Sequence, residues 1–238
     1  MNNSFLRGLR DGLPICFGYF PVGFAFGIFA VSSGIPIFET LLISMTNTTS
    51  AGQHAAVPII AGGGSLIELA MTQLVINLRY ALMSVSLSQK FSPAVKFLDR
   101  LLIAFVNTDE VFAVASGQRE ELGPRYFYGL ILTPYLGWSC GTLIGAIAGD
   151  ILPAAIVSAL GIAIYGMFIA IVVPVAKKNL PTALCVLVAV ALGCAFRFIP
   201  VLSAVSEGFV IIICAVTASA LFAWLAPVKT EEGGAANG

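Results

Sequence analysis

Apolar residues run almost without interruption from Leu13 to Leu225, broken by short clusters of Gly, Pro and charge. A membrane-crossing helix needs about 20 mostly apolar residues. The interruptions cut the chain into about eight hydrophobic segments: 13–33, 37–62, 65–88, 98–118, 126–149, 153–176, 181–200 and 207–226. The pattern predicts an all-α, polytopic helical membrane protein with a single transmembrane domain over 13–226. Residues 1–12 are expected as a cytoplasmic N-terminus and the polar, Gly-rich residues 227–238 as a disordered tail. Arg7 and Arg10 precede the first segment as they would in a signal peptide. The apolar stretch Leu13–Ser32 is longer than a signal-peptide core and lacks an A-x-A cleavage pattern, so it is read as a retained span.

Two segments depart from the apolar pattern. The second holds the run Thr46-Asn47-Thr48-Thr49-Ser50-Ala51-Gly52-Gln53-His54 at its centre, and the fourth holds Asn107-Thr108-Asp109-Glu110. A straight lipid-facing helix offers no partners for so many polar groups, so both segments are predicted to be broken or re-entrant helices, as at many transporter sites. Segment three carries two polar stripes: Glu68, Thr72, Arg79 and Ser86 on one face, and Gln73, Asn77, Tyr80 and Ser84 on nearly the opposite one. Arg79 would cost about 2.5 to 3.5 kcal/mol at a bilayer centre, so it needs a partner, for which Asp109 and Glu110 are the candidates. A structural ion pair and a clamp for a substrate carboxylate are the two readings of that arginine.

Glycine recurs at Gly137, Gly141, Gly145 and Gly149, and again at Gly23 and Gly27, a spacing that lets membrane helices approach closely. The run Gly137-Trp138-Ser139-Cys140-Gly141 spells a nucleophile-elbow pattern, but it lies in a glycine-spaced helix of a chain with one His. Packing is therefore the reading of that stretch. A weak internal repeat pairs Pro21–Gly27 and Pro36 with Ser139–Gly145 and Pro153, and continues with Pro58 and Pro174 and with Arg79 and Arg197, giving halves of about 13–118 and 126–226. Coincidental matching of Gly-rich segments is the alternative.

With 58% hydrophobic and 10% charged residues, the chain falls far from the roughly 25% charged content of a soluble domain. Its 12 basic and 12 acidic residues cancel, so no basic field exists to attract nucleic acid. Cys16, Cys140, Cys185, Cys194 and Cys214 all lie in apolar runs without metal-ligand spacing and read as packing residues, so neither a metal nor a cofactor is expected. Basic residues cluster at Lys90, Lys96 and Arg100, at Arg119 and Arg125, and at Lys177 and Lys178. If segments two and four re-enter on their own sides, every basic loop is cytoplasmic; if both cross, the three-residue basic loop falls outside, against the positive-inside rule.

Four ordered motifs, Pro21-x-Gly23-x-Ala25-Phe26-Gly27, Thr49-Ser50-Ala51-Gly52-Gln53, Asn77-Leu78-Arg79-Tyr80 and Thr108-Asp109-Glu110, resemble the AzlC family over roughly residues 5–225. His54 and Tyr80 stand where many members have an aromatic residue and a histidine. The resemblance implies a bacterial inner-membrane protein that exports leucine, isoleucine, valine and sometimes methionine. It implies proton drive and a small partner subunit of the AzlD type with about four spans. A homodimer is compatible with the sequence. The competing classes are a membrane-embedded enzyme using Asp, Glu or His54 and a non-transporting scaffold.

The substrate site is expected between the broken centre of segment two (Thr48, Thr49, Ser50, Gly52, Gln53) and the polar face of segment three (Gln73, Asn77, Tyr80, Ser84). The alternative is that these groups bond to one another as an interhelical network. Arg79, Asp109, Glu110 and His54 are the candidates for coupling or ion pairing, with Asp109 favoured as the proton carrier.

Overall fold

The computed structural model describes residues 3–153, 169, 172–174, 176–202 and 204–226. Segment six and the C-terminal tail lie largely or wholly outside the described residues. The chain divides into two compact units, residues 1–167 and 168–238. Among the described residues the first unit holds α1 (Phe5–Ser32), α2 (Ile37–Thr46), α3 (Ser50–Ala61), α4 (Leu66–Ser88), α5 (Phe97–Phe105), α6 (Asp109–Ser116) and α7 (Pro124–Ile151). The second unit holds α8 (Leu180–Phe198) and α9 (Glu207–Leu225), which pack on each other. The one extended pairing described is an isolated bridge between Phe91 and Leu122, so the chain is all-α.

Five of these helices, α1, α4, α7, α8 and α9, are long and apolar enough to cross a membrane. At 1.5 Å per residue, the 28 residues of α1 extend about 42 Å, beyond the roughly 30 Å hydrocarbon core. Helix α1 begins at Phe5, capped by the Ser4 hydroxyl accepting from the Arg7 amide. Residues 5–12 of the expected cytoplasmic N-terminus form the first two turns of that helix.

Helices α1 and α7 form the centre of the first unit and run parallel. A Cβ added at Gly8 would lie 2.1 Å from the Tyr126 carbonyl oxygen, and one at Gly27 would lie 2.3 Å from that of Thr142. From the other side, a Cβ at Gly145 would lie 2.0 Å from the Phe24 carbonyl oxygen. Glycine on both helices thus brings the backbones together, which lets dispersion contacts accumulate where no hydrophobic force separates protein from lipid. The two stretches of the weak repeat, Pro21–Gly27 and Ser139–Gly145, face each other in this seam.

Segments two and four are each two short helices. The 10 residues of α2 and the 12 of α3 extend about 15 and 18 Å, and the 9 of α5 and 8 of α6 about 14 and 12 Å, so each reaches about half-way through a bilayer. Contacts show that both turn back. Ser44 and Met45, at the end of α2, meet Thr142 and Tyr135 in the middle of α7, and α3 returns past Phe26 and Phe29 toward the end of α1. In segment four, Asp99 at the start of α5 is bonded by the Tyr128 hydroxyl, and Gln118 just beyond α6 is bonded by Arg7. The loops after α4 and α6 join through Ser92 and Leu122, and through Lys90 donating to the Gln118 carbonyl. Lys90, Lys96, Arg100, Arg119 and Arg125 therefore gather at the end that holds the N-termini of α1 and α7, the re-entrant arrangement.

Candidate functional site

The two hairpins enter from opposite ends and meet at their tips. In the first, the helix stops at Thr46, Asn47 and Thr48 are non-helical, and Thr49 caps α3 by accepting from the Gly52 amide at 3.4 Å. In the second, α5 stops at Phe105 and Thr108 caps α6 by accepting from the Val111 amide at 3.4 Å. The same local chemistry, a threonine whose hydroxyl replaces the missing helical acceptor, restarts both helices. One direct bond joins the tips: Thr48 Oγ1 donates to the Phe105 carbonyl at 3.3 Å.

Between the tips lies a cavity of about 120 Å³. Thr48, Thr49 and Asn47 line it from the first hairpin, Asn77 and Tyr80 from α4, and Asn107 and Thr108 from the second hairpin. Asn77 Oδ1 and Asn107 Oδ1 are buried without a hydrogen-bond partner. A buried carbonyl left unpaired costs about 1 to 3 kcal/mol, so each oxygen is an acceptor awaiting a donor. The N-termini of α3 and α6 open on the cavity through their capping threonines, and the C-termini of α2 and α5 end beside it. Amide donors with partial positive charge and carbonyls with partial negative charge thus converge on one small space.

Of the residues expected at the site, Thr48, Thr49, Asn77 and Tyr80 line this cavity, while Ser50, Gly52, Gln53 and Gln73 do not. The reason is direct bonding between the helices. Gln73 Nε2 donates to the Gly52 carbonyl at 2.9 Å, and Gln73 Oε1 accepts from Asn47 and from Asn77, each at 3.1 Å. A side chain at position 52 would meet Gln73 Oε1 at 2.6 Å, so glycine is what allows the approach. Gln53 points away, fully buried, its Oε1 accepting from Trp138 Nε1 at 2.9 Å. Asn107 and Thr108 complete the cavity; the sequence marked them as a helix break but gave no sign of which partner they face. Ser84 accepts from Asn107 Nδ2 at 3.1 Å.

The charged candidates separate. Arg79 Nη2 lies 2.8 Å from Asp109 Oδ2 and 3.1 Å from the Tyr80 hydroxyl, with the guanidinium 4.9 Å from the Tyr80 ring centre. Glu110 accepts instead from the Tyr19 hydroxyl on α1. Adjacent residues on a helix point about 100° apart, and the two carboxylates accordingly serve different helices. His54 sits beyond the cavity, its ring against Phe26 and Phe29 and its Nδ1 2.7 Å from the Ser50 carbonyl. Among the described residues no group of His, Cys, Asp and Glu could hold a metal ion.

Comparison with known proteins agrees with this architecture of membrane helices. A family model described as AzlC protein matches residues 14–152, which holds all four motifs and is narrower than the expected range of roughly 5–225. The chain is 31% identical over 151 residues to "Inner membrane protein YgaZ" of Escherichia coli K12, and the match covers 62% of each chain. It is 33% identical over 172 residues to an "Uncharacterized membrane protein" of Archaeoglobus fulgidus, covering 71% of this chain and 75% of that one. A Helicobacter pylori membrane protein, also uncharacterized, is 26% identical over 155 residues. The chain thus spans about three fifths of the Escherichia coli relative. No solved structure matches.

Proposed function

The chain belongs to the AzlC family of membrane proteins, and from that premise we propose that it is a secondary transporter exporting branched-chain amino acids across a bacterial inner membrane. The observation that carries this reading is the tip-to-tip meeting of two half-helix hairpins around a polar cavity. An amino acid presents a carboxylate and an ammonium. The amide ends of α3 and α6 suit the first, and the carbonyl ends of α2 and α5, with Asn77 Oδ1 and Asn107 Oδ1, suit the second. The aliphatic side chain has Phe105 and Ala104 on the same wall.

Proton coupling falls to Asp109, a carboxylate at the hairpin tip whose partner Arg79 belongs to a different helix. A small membrane subunit of the AzlD type completes the exporter. The basic end of the first unit faces the cytoplasm, in keeping with the positive-inside rule. The direct test is reconstitution into liposomes with labelled leucine, with and without the small subunit, under an imposed pH gradient. Movement of intact leucine supports the reading; intact liposomes that move none overturn it. For orientation, Gln89→Cys and Gln118→Cys in a background free of other cysteines should both resist a membrane-impermeant thiol reagent added to whole cells. Labelling of only one shows that segment four crosses fully.

A further inference from the structure

A second cavity, of about 350 Å³, lies between the C-terminal half of α4 and α5, on the side of the first cavity toward the basic loops. That volume falls within the range of small-molecule sites. The cavity is open to the outer helix surface and largely apolar, lined by Val85 and Leu101, 68% and 52% exposed, and by buried Ile103, with Arg100 also on its wall, its guanidinium 5.4 Å from the Phe91 ring centre. Ala104 and Asn107 line both cavities, so the two spaces share a wall.

The two ends of the tip cavity are closed very differently. Toward the basic end, the described partition is one side-chain hydrogen bond, Asn107 Nδ2 to Ser84 Oγ at 3.1 Å. Toward the opposite end stands Gln73, one helical turn before Asn77 on α4, making two hydrogen bonds that join α4 to the first hairpin, at Asn47 and at Gly52, and a third to Asn77 within α4. Breaking a single neutral hydrogen bond costs much less than dismantling a network that would leave several buried groups unpaired. The basic end thus has one side-chain hydrogen bond across it, between Ser84 and buried Asn107, and the other end has two through Gln73.

We infer that the second cavity is an antechamber, a separate binding site for an α-amino acid with an aliphatic side chain, from which substrate passes the Ser84–Asn107 partition into the tip cavity. In it Arg100 takes the carboxylate and Val85 and Leu101 take the side chain, a division of charge and apolar surface that matches this substrate class. The inference rests on the transport reading above and adds the route and the side from which substrate arrives.

The test uses Leu101→Cys and Ser88→Cys, which line the second cavity alone, each in the otherwise cysteine-free chain assembled with its small subunit in sealed vesicles of either orientation. A bulky, membrane-impermeant methanethiosulfonate is added from one side at a time, and labelled leucine transport is measured before modification, after it, and after reduction. The expected result is modification only from the side of the basic loops, slowed by leucine, with loss of transport that reduction restores. Recovery on reduction shows that each variant is folded, and the second position stands in if the first does not accumulate. Full modification with transport retained, or modification indifferent to leucine, overturns the antechamber and makes the space a lipid-filled groove, with the transport reading intact. A cysteine-free chain that accumulates normally and moves no leucine overturns both.

Discussion

The first hairpin is fixed to the α1–α7 frame by uncharged hydrogen bonds, Ser44 to Thr142 at 2.7 Å and Gln53 to Trp138 at 2.9 Å, all four residues buried. The second hairpin, built with the same threonine cap, is held near its tip through charge: Asp109 on Arg79 and Glu110 on Tyr19. The Arg79 and Asp109 side chains are 53% and 46% uncovered by the rest of the chain, so packing within this chain does not enclose the pair. Removing a buried neutral partner strands the other one at full cost, whereas a carboxylate paired across two helices can exchange its partner for a proton and stay neutral in the membrane. The difference separates fixed recognition in the first hairpin from movable charge in the second.

The largest expected effect follows from removing that charge. Asp109→Asn should abolish gradient-driven leucine export while leaving leucine exchange, which needs no net proton movement. Glu110→Gln keeps an acceptor for the Tyr19 hydroxyl and should affect both activities far less. Counterflow and net-export assays on the same vesicles separate the cases. Equal loss of exchange and export in Asp109→Asn, with normal protein levels, would place the carboxylate in substrate binding and dissolve the contrast between the hairpins.

A smaller effect, on stability alone, is expected in the first hairpin. Gln53→Ala leaves Trp138 Nε1 without its acceptor in a fully buried setting and should cost about 1 to 3 kcal/mol plus a cavity penalty. Because Gln53 does not line the tip cavity, leucine affinity should change little. Asn77→Ala makes the complementary case: it removes an unpaired cavity oxygen and should weaken leucine binding more than it lowers thermal stability. Thermal unfolding and equilibrium binding in detergent read both. A Gln53→Ala variant with weakened binding and normal stability would move the site to the other face of α3.

These contrasts mark what could be read from the chain beforehand. The two breaks were legible because lipid offers no partner for the polar run around Thr48 or for Asn107-Thr108-Asp109-Glu110, and such runs must interrupt a span. The re-entrant course was legible through the basic loops, whose common side only that course allows. Helical periodicity also put Gln73, Asn77, Tyr80 and Ser84 on one face of α4. What periodicity lacks is the identity of the neighbour. Gln53 and Gly52 are adjacent in sequence but 100° apart on α3, so one meets Trp138 on α7 and the other Gln73 on α4. The distinction between a network and a cavity depends on approaches of a few ångströms, here set by a glycine at position 52, and no spacing rule encodes them.

The smallest effect compares the two caps directly. Thr49 and Thr108 each accept one backbone amide at 3.4 Å, and replacing an N-cap threonine by alanine typically costs about 1 kcal/mol. Thr49 Oγ1 also accepts from the Tyr80 hydroxyl at 3.5 Å, and the Thr108 side chain bonds the Tyr19 hydroxyl, so Thr49→Ala and Thr108→Ala should destabilise by similar amounts. Both caps open on the cavity, so both variants should weaken leucine binding by fraying the helix end that faces the carboxylate. The second hairpin has fewer uncharged ties, so Thr108→Ala should show the larger rise in amide hydrogen exchange around its break. Equal exchange at the two tips would mean that the charged contacts hold the second hairpin as firmly as buried hydrogen bonds hold the first.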